Sequence, residues 1–135
     1  MALKATLELE GKKYDVRDLD YELYKPYDNN NKPSAYPRGG LINFTILSPM
    51  KVNSVFHDWL LDLEERKQGD FYLPLTDGIN HEAKNIHFEM AFCVRLHETY
   101  SSYNKSQLYM QITISASVIK FEGCKFDYRN NELPR

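Results

Sequence analysis

The chain has 135 residues, a length that suits one domain over residues 1–135, and its ten Tyr, seven Phe and one Trp favour sheets and interfaces. The 19 acidic and 17 basic residues give a net charge of −2 and are scattered, so no basic block exists to bind nucleic acid. No stretch approaches the ~20 apolar residues of a membrane span, and the N-terminus lacks the apolar core of a signal peptide, so we expect neither membrane insertion nor a signal peptide.

A β-hairpin is the first predicted element. Residues 3–9 alternate Leu or Ala with Lys, Thr or Glu, which is the period of a strand with one buried face. A turn at residues 10–13 leads into a return strand from Tyr14 to Tyr24. The alternation slips around Arg17 and Asp18, where we predict a β-bulge.

Residues 25–38 form an extended loop with three Pro, two Tyr and no apolar period. A patternless stretch of this length inside a domain is either functional or disordered. The prolines reduce the entropy lost on docking and the tyrosines offer contact area, so we favour a contact loop over a mobile surface loop.

A strand and the main helix of the chain follow. Residues 41–47 are β-rich, and Ser48 with Pro49 predicts the start of a helix, which Gly69 is expected to close. Apolar residues then recur with a helical period, which predicts a helix face packed against the core. The members of this face that we assign to the core helix are Val55, Phe56, Trp59, Leu60 and Leu63.

Two long strands come next, after a short one at residues 71–75. Residues 85–97 and 108–118 alternate apolar and polar side chains, with residues 86, 88, 90, 92, 94 and 96 on the apolar face of the first. The reverse face is polar, so water must reach it. The candidate residues of this wetted face are His87, Glu89, Arg95, Gln111, Thr113 and Ser115. Residues 120–135 show no period and are interpreted as a C-terminal tail.

The long strands predict self-association. We expect a mainly β (α+β) fold, with the strands in a small domain that closes into a barrel or leaves edges exposed. Neither long strand contains a Pro to block its edge, and unblocked edges pair with other chains. Head-to-tail pairing of identical copies makes rings, and a polar sheet face shared around such a ring would line a channel.

Catalytic and metal chemistry have weak support. His81, Glu82 and His87 do not have the spacing of a zinc motif, and no nucleophile elbow or phosphate loop occurs, so we expect no enzyme, no metal and no cofactor. Cys93 and Cys124 are expected to be reduced thiols, which points to folding in the cytoplasm. Two other classes stay open: a monomeric small β-barrel that binds an apolar ligand, and a hydrolase built on His81 and Glu82.

Several segments together resemble the tube subunits of type VI secretion systems, the TssD or Hcp family. They are the opening hairpin at residues 2–16, Lys32-Pro33-Ser34, Gly39-Gly40, Trp59-Leu60 and the strand at residues 112–116. Their order and spacing carry the resemblance, which covers residues 2–120.

The resemblance implies a phage-tail-tube-like, small antiparallel β-barrel with one flanking amphipathic helix. It also implies hexameric rings that stack into a tube, which a contractile sheath expels together with spike and effector proteins, the effectors travelling in the lumen or fused to the subunit. Assembly would be cytoplasmic, with later secretion or injection. By resemblance the loop at residues 25–38 reaches the neighbouring ring and the polar strand face lines the lumen. The candidate contact residues are Tyr27, Asn30, Pro33, Ser34, Tyr36, Arg38, Gly39 and Gly40.

Overall fold

The computed structural model describes residues 4–47, 54–76, 81–103 and 107–127. Its elements in chain order are β1 (Ala5–Leu9), β2 (Lys12–Tyr21), β3 (Leu41–Leu47), α1 (Val55–Leu61), β4 (Lys67–Thr76), β5 (His81–Ser101), β6 (Gln107–Phe121) and β7 (Cys124–Asp127). Among the described residues, no helix is long and apolar enough to cross a bilayer.

Six strands close into an antiparallel barrel. The sheet order is β3-β2-β1-β4-β5-β6-β7, and β3 also pairs with β6. The sheet therefore closes on itself, and its strands β1 to β6 form the wall of the barrel. The closing pairs include Phe44 with Ile112, and β7 continues the sheet from the last residues of β6. The predicted small barrel with one flanking helix is therefore confirmed.

The core fills the inside of this barrel with apolar side chains. The rings of Phe44 and Phe71 lie 5.0 Å apart, and those of Phe71 and Phe88 lie 5.5 Å apart. These aromatic pairs add about 0.5–1.5 kcal/mol each beyond the area they bury. The other fully buried large side chains are Leu7, Leu9, Ile42, Ile46, Phe56, Trp59, Ile86, Ile112, Ile114 and Ile119.

The helix α1 is shorter than the sequence predicts. It begins at Val55, and the predicted start at Ser48 and Pro49 lies outside the described residues. Phe56 and Trp59 are each 1% exposed, and the Trp59 indole Nε1 donates to the Ala91 carbonyl at 3.1 Å. The predicted roles of Phe56 and Trp59 therefore hold, and Val55 and Leu60 pack partly buried against the same core.

Two predictions about the end of this helix are wrong. The helix ends at Leu61, because Asp62 has extended backbone with ψ of 125°, and Leu63 is 91% exposed rather than part of the core face. Gly69 does not close the helix but lies inside β4. A Cβ there would sit 2.7 Å from the Glu8 carbonyl oxygen and 2.9 Å from the Phe88 ring, so only glycine lets β1 approach this closely.

β-Bulges set which side chains of the long strands face inward. The predicted bulge in β2 is confirmed, between Val16 and Asp18. In β5 the pairing also shifts, between Cys93 and Arg95, and Met90 takes a φ of 55°.

These irregularities correct the predicted apolar face of β5. The alternation predicts that Ala91 and Cys93 lie on the polar face, but both are buried. It predicts that Val94 lies in the core, but Val94 is 51% exposed. A residue with positive φ interrupts the strict two-residue period of a strand, so the faces exchange at Met90, and the shift between Cys93 and Arg95 brings Leu96 back against the core.

The barrel has two ends. At the arm end, β2 finishes and β3 begins, and the segment between them connects the two strands. At the turn end lie the β1–β2 turn and the connection from α1 to β4. The Lys67 ammonium joins these two, 2.6 Å from Glu10 and 3.0 Å from Glu65.

Candidate functional site: the arm and the outer barrel face

The segment Tyr24–Arg38, which we call the arm, is an ordered β-ribbon. The backbones of Tyr24 and Arg38 exchange two hydrogen bonds, of 2.9 and 2.7 Å, at its base. Farther out, the Ser34 N–H donates to the Pro26 carbonyl at 2.8 Å, and Tyr27 forms a bridge with Pro33. The contact loop that the sequence favours therefore has its own internal backbone pairing.

The tip of the arm is closed by Asp28. Its carboxylate Oδ1 accepts hydrogen bonds from the backbone N–H groups of Asn30 at 2.9 Å and Lys32 at 3.0 Å. Asn31 has a φ of 64°, in the left-handed region that asparagine tolerates better than most residues. The left-handed backbone gives the asparagine at position 31 a structural reason.

Most of the predicted contact residues lie on the surface of the arm. Tyr27 is 74% exposed and Tyr36 is 46% exposed. Asn30, Pro33, Ser34 and Arg38 are also exposed. Tyrosine rings held on a braced ribbon lose little entropy on binding a partner.

The two glycines after the arm have a different place from the other predicted contact residues. Gly40 is buried, with a φ of 95°, and a Cβ there would meet the Ala116 carbonyl oxygen at 2.6 Å. Gly39 is half-buried against Leu23. Gly40 joins the arm to the wall by accepting a 2.7 Å hydrogen bond from the Ala116 N–H, so it positions the arm.

A row of polar side chains crosses the outer face of β2, β3 and β6. The Asn43 amide Nδ2 donates to Asp20 Oδ1 at 2.9 Å, and the Thr113 hydroxyl donates to Asn43 Oδ1 at 2.6 Å. Thr113 is consequently only 8% exposed, so its predicted place on a wetted face is wrong for the free subunit. Gln111 and Arg95 are exposed and Ser115 is half-buried on the same side of the wall.

A second, ionic row crosses β4, β5 and β6. The two ring nitrogens of His87 lie 2.9 Å from Asp70 and 3.0 Å from Glu89, whose carboxylate also lies 3.1 Å from the Lys120 ammonium. The hydrogen bond from Lys120, and secondly that from His87, lowers the pKa of Glu89. His87 and Glu89 are therefore paired surface residues that water still reaches.

The described residues do not form a metal centre on this surface. None of their His, Cys, Asp and Glu side chains form a group that could hold a metal ion. Both cysteines are free, Cys93 buried and Cys124 exposed, and burial raises the pKa of the Cys93 thiol to about 11. The side chains of His81 and Glu82 lie outside the described part of the chain.

The family described as hemolysin coregulated protein Hcp, or TssD, matches residues 1–130. The chain belongs to the TssD/Hcp family. The family resemblance that the sequence motifs indicate is thus confirmed. No curated protein matches the chain.

Solved structures of Hcp proteins have the same fold. Hcp1 from Flavobacterium johnsoniae is 27% identical, with a TM-score of 0.78 over 93% of this chain and 99% of that one. A doubly substituted Hcp1 from the E. coli EAEC 042 pathovar is 16% identical, with a TM-score of 0.66 over 89% and 91%. Another Hcp crystal structure is 12% identical, with a TM-score of 0.70 over 87% and 91%.

The family assigns this barrel to the structural tube-forming proteins, whose members are oligomeric and are not known as enzymes. The arm and the outer faces of the wall are therefore candidate assembly surfaces. The sequence located the arm from its prolines and tyrosines, but it missed Asp20 and Asn43, because their partnership depends on the register of β2 and β3.

Proposed function

We propose that this protein is the inner-tube subunit of a type VI secretion system, forming hexameric rings that stack into a hollow tube. The observation that carries the stacking step is the arm, a self-braced ribbon with Tyr27 and Tyr36 exposed at one end of a closed barrel. An ordered arm of this kind is suited to a protein contact, because its backbone is already fixed before it meets a partner.

The wall of the tube would come from side-by-side barrels, with a polar face toward the lumen. Arg95 and Gln111 are exposed on the outer face of β5 and β6, and the paired side chains of His87 and Glu89 both belong to β5. Polar and charged side chains keep water in such a channel. Effector proteins in the lumen, and the sheath and spike outside it, complete the proposal.

The proposed route is assembly in the cytoplasm followed by expulsion of the tube when the sheath contracts. The free thiols of Cys93 and Cys124 are compatible with folding in a reducing compartment. Expulsion by a contractile machine needs no signal peptide on the subunit.

The alternative of a monomeric carrier for an apolar ligand has less support. Such a barrel needs an open apolar interior, whereas the rings of Phe44, Phe71 and Phe88 fill this one at centroid separations of 5.0 and 5.5 Å. Family membership also favours the tube subunit.

Light scattering and negative-stain electron microscopy of the purified chain test the proposal. We expect particles of about six times the subunit mass of 15.9 kDa, with a central hole. A monomer at all concentrations, together with no rings in the micrographs, would contradict the proposed function.

A further inference from the structure

The arm end of the barrel carries an apolar depression of about 520 Å³ beside the base of the arm. Tyr21, Leu23, Leu75, Ala83 and Phe121 line it, and they come from the ends of four different wall strands and the start of the arm connection. Leu75 is 54% exposed and Leu23 is 40% exposed. Apolar side chains grouped at one end of a subunit are a site where a partner can bind.

Lys84 places an ammonium group in this depression, which Glu122 also lines. Its ammonium donates to the Tyr21 hydroxyl at 3.1 Å and lies 5.7 Å from the Tyr21 ring centroid and 5.6 Å from that of Phe121. The ion pairs among the described residues do not include Lys84. A cation held over two rings is thus available to a carboxylate from another molecule.

The turn end carries a complementary feature, the segment Leu61–Glu64, which we call the leucine turn. Leu61 is 76% exposed and Leu63 is 91% exposed, with the carboxylates of Asp62 and Glu64 beside them.

The leucine turn is held in place from both sides. Asp62 Oδ1 accepts hydrogen bonds from the backbone N–H groups of Glu64 at 2.8 Å and Glu65 at 3.2 Å. Glu65 is tied in turn to the β1–β2 turn through Lys67. The two leucines are therefore presented outward by a fixed backbone.

We propose that the depression of one subunit receives Leu61 and Leu63 of a second copy stacked head to tail on it, with Lys84 of the first against Glu64 of the second. The two surfaces match in apolar character, and the Lys84 ammonium of one is opposite in charge to the Glu64 carboxylate of the other. They also lie at opposite ends of the barrel, so the same contact repeats along a stack without limit. This inference rests on the proposed function, because it names the contact that would join successive rings.

Cross-linking tests the contact, since the exposed native Cys124 lines the depression. In the full-length Leu63→Cys variant, a short bismaleimide should link position 63 of one chain to Cys124 of the next. Because each chain of this variant then has one exposed cysteine at each end, cross-linking should join many chains in series. Denaturing gels should show a ladder of products, and peptide mapping should find the 63–124 link. Wild type, and Leu63→Cys combined with Cys124→Ser, should give no ladder.

A charge exchange provides a second measurement. Lys84→Glu should raise several-fold the protein concentration at which rings stack, as judged by light scattering and electron microscopy. Adding Glu64→Lys to the same chain should restore stacking, because every contact then has the charges reversed. Unchanged melting temperatures would show that both variants remain folded.

The outcomes separate this inference from the proposed function. Stacked rings in the micrographs without a 63–124 link would overturn the inference and leave the tube function standing. Rings that never stack would overturn the inference together with the stacking step, and a monomer would overturn the proposed function as a whole.

Discussion

The carboxylate of Glu89 accepts hydrogen bonds from Lys120 and His87 on the outer face of β5 and β6. These contacts lower the pKa of Glu89 in the folded protein from its ordinary value of 4.5, chiefly through Lys120. A lowered pKa means that the folded state binds this proton less readily than the unfolded state. Glu89 therefore stabilises the fold above about pH 4.5, and this contribution is lost as the pH falls through the lower, folded-state pKa.

Replacing Glu89 by Gln should remove that contribution. We expect the free energy of unfolding to fall by less than about 1 kcal/mol at pH 7, because the ion pairs are partly solvated. The difference between the variant and wild type should shrink toward zero as the pH falls below 4.5 and through the lowered, folded-state pKa of Glu89. Urea denaturation at a series of pH values measures this, with the exposed Glu22→Gln as the matched control. A difference that grew toward acid pH would show the opposite sign of coupling.

The strand β5 is the element on which sequence and structure differ most. It is 21 residues long, and its inward face changes at Met90, where φ is 55°. An unbroken apolar alternation hides this change, because Met90, Phe92 and Val94 are themselves apolar. The partner strand β6 keeps Met110, Ile112, Ile114 and Ala116 inward, as its alternation predicts.

Two Asp substitutions test this assignment of the faces. Ile112→Asp should prevent folding, because Ile112 is 1% exposed and burial of an unpaired charge costs several kcal/mol, comparable with a typical stability of about 5–15 kcal/mol. Val94→Asp should cost about 1 kcal/mol or less, since Val94 is 51% exposed. Circular dichroism with thermal denaturation compares the two. Equal loss of structure in both variants would mean that Val94 lies in the core, as the strict alternation of β5 predicts.

Elements defined by residues close together in the sequence could be predicted, whereas features that depend on residues far apart in the sequence could not. The opening hairpin, the bulge near Arg17 and the Phe56–Trp59 helix face follow from local patterns, and all three are present. The role of Gly69 depends on the approach of Glu8, which is distant in the chain, so its helix-ending tendency was misleading. Leu63 continued the helical period, but Asp62 accepts backbone N–H groups beyond it and ends the helix first.

The candidate site divides in the same way. The composition of the arm predicted a contact surface, and its exposed tyrosines agree with that expectation. The partners of Thr113 and His87 could not be predicted, because Asn43 and Asp70 reach them only through strand register. No local pattern marks Lys84 over Tyr21 and Phe121.

At the scale of the whole molecule, the wall and the arm are separate structural units with different tasks. The barrel is held by the packing of its core, whereas the outer part of the arm is held by backbone hydrogen bonds among its own residues. Changes at the tip should therefore affect assembly far more than folding.

Deletion of residues 27–33, with Gly-Gly joining Pro26 to Ser34, tests this separation. The variant should keep the barrel, with a melting temperature within a few degrees of wild type, since surface changes usually cost about 0.5 kcal/mol or less. It should lose stacking of rings in electron micrographs. Asn29→Ser, which leaves the hydrogen bonds of Asp28 intact, is the control that should still stack. A large drop in melting temperature would show instead that the arm supports the barrel.

Closure of the wall by β3 and β6 has a consequence for how the chain reaches this state. The closing strands join residues 70 positions apart, such as Asn43 and Thr113, whereas β1–β2 and β5–β6 are hairpins of neighbouring strands. Non-local pairing of this kind slows folding to the range of about milliseconds to seconds. During synthesis, β3 has to wait until β6 has left the ribosome, with Ile42, Phe44 and Ile46 still lacking that neighbour. Until β6 is made, that edge of β3 stays unpaired, and unpaired strand edges are prone to aggregation.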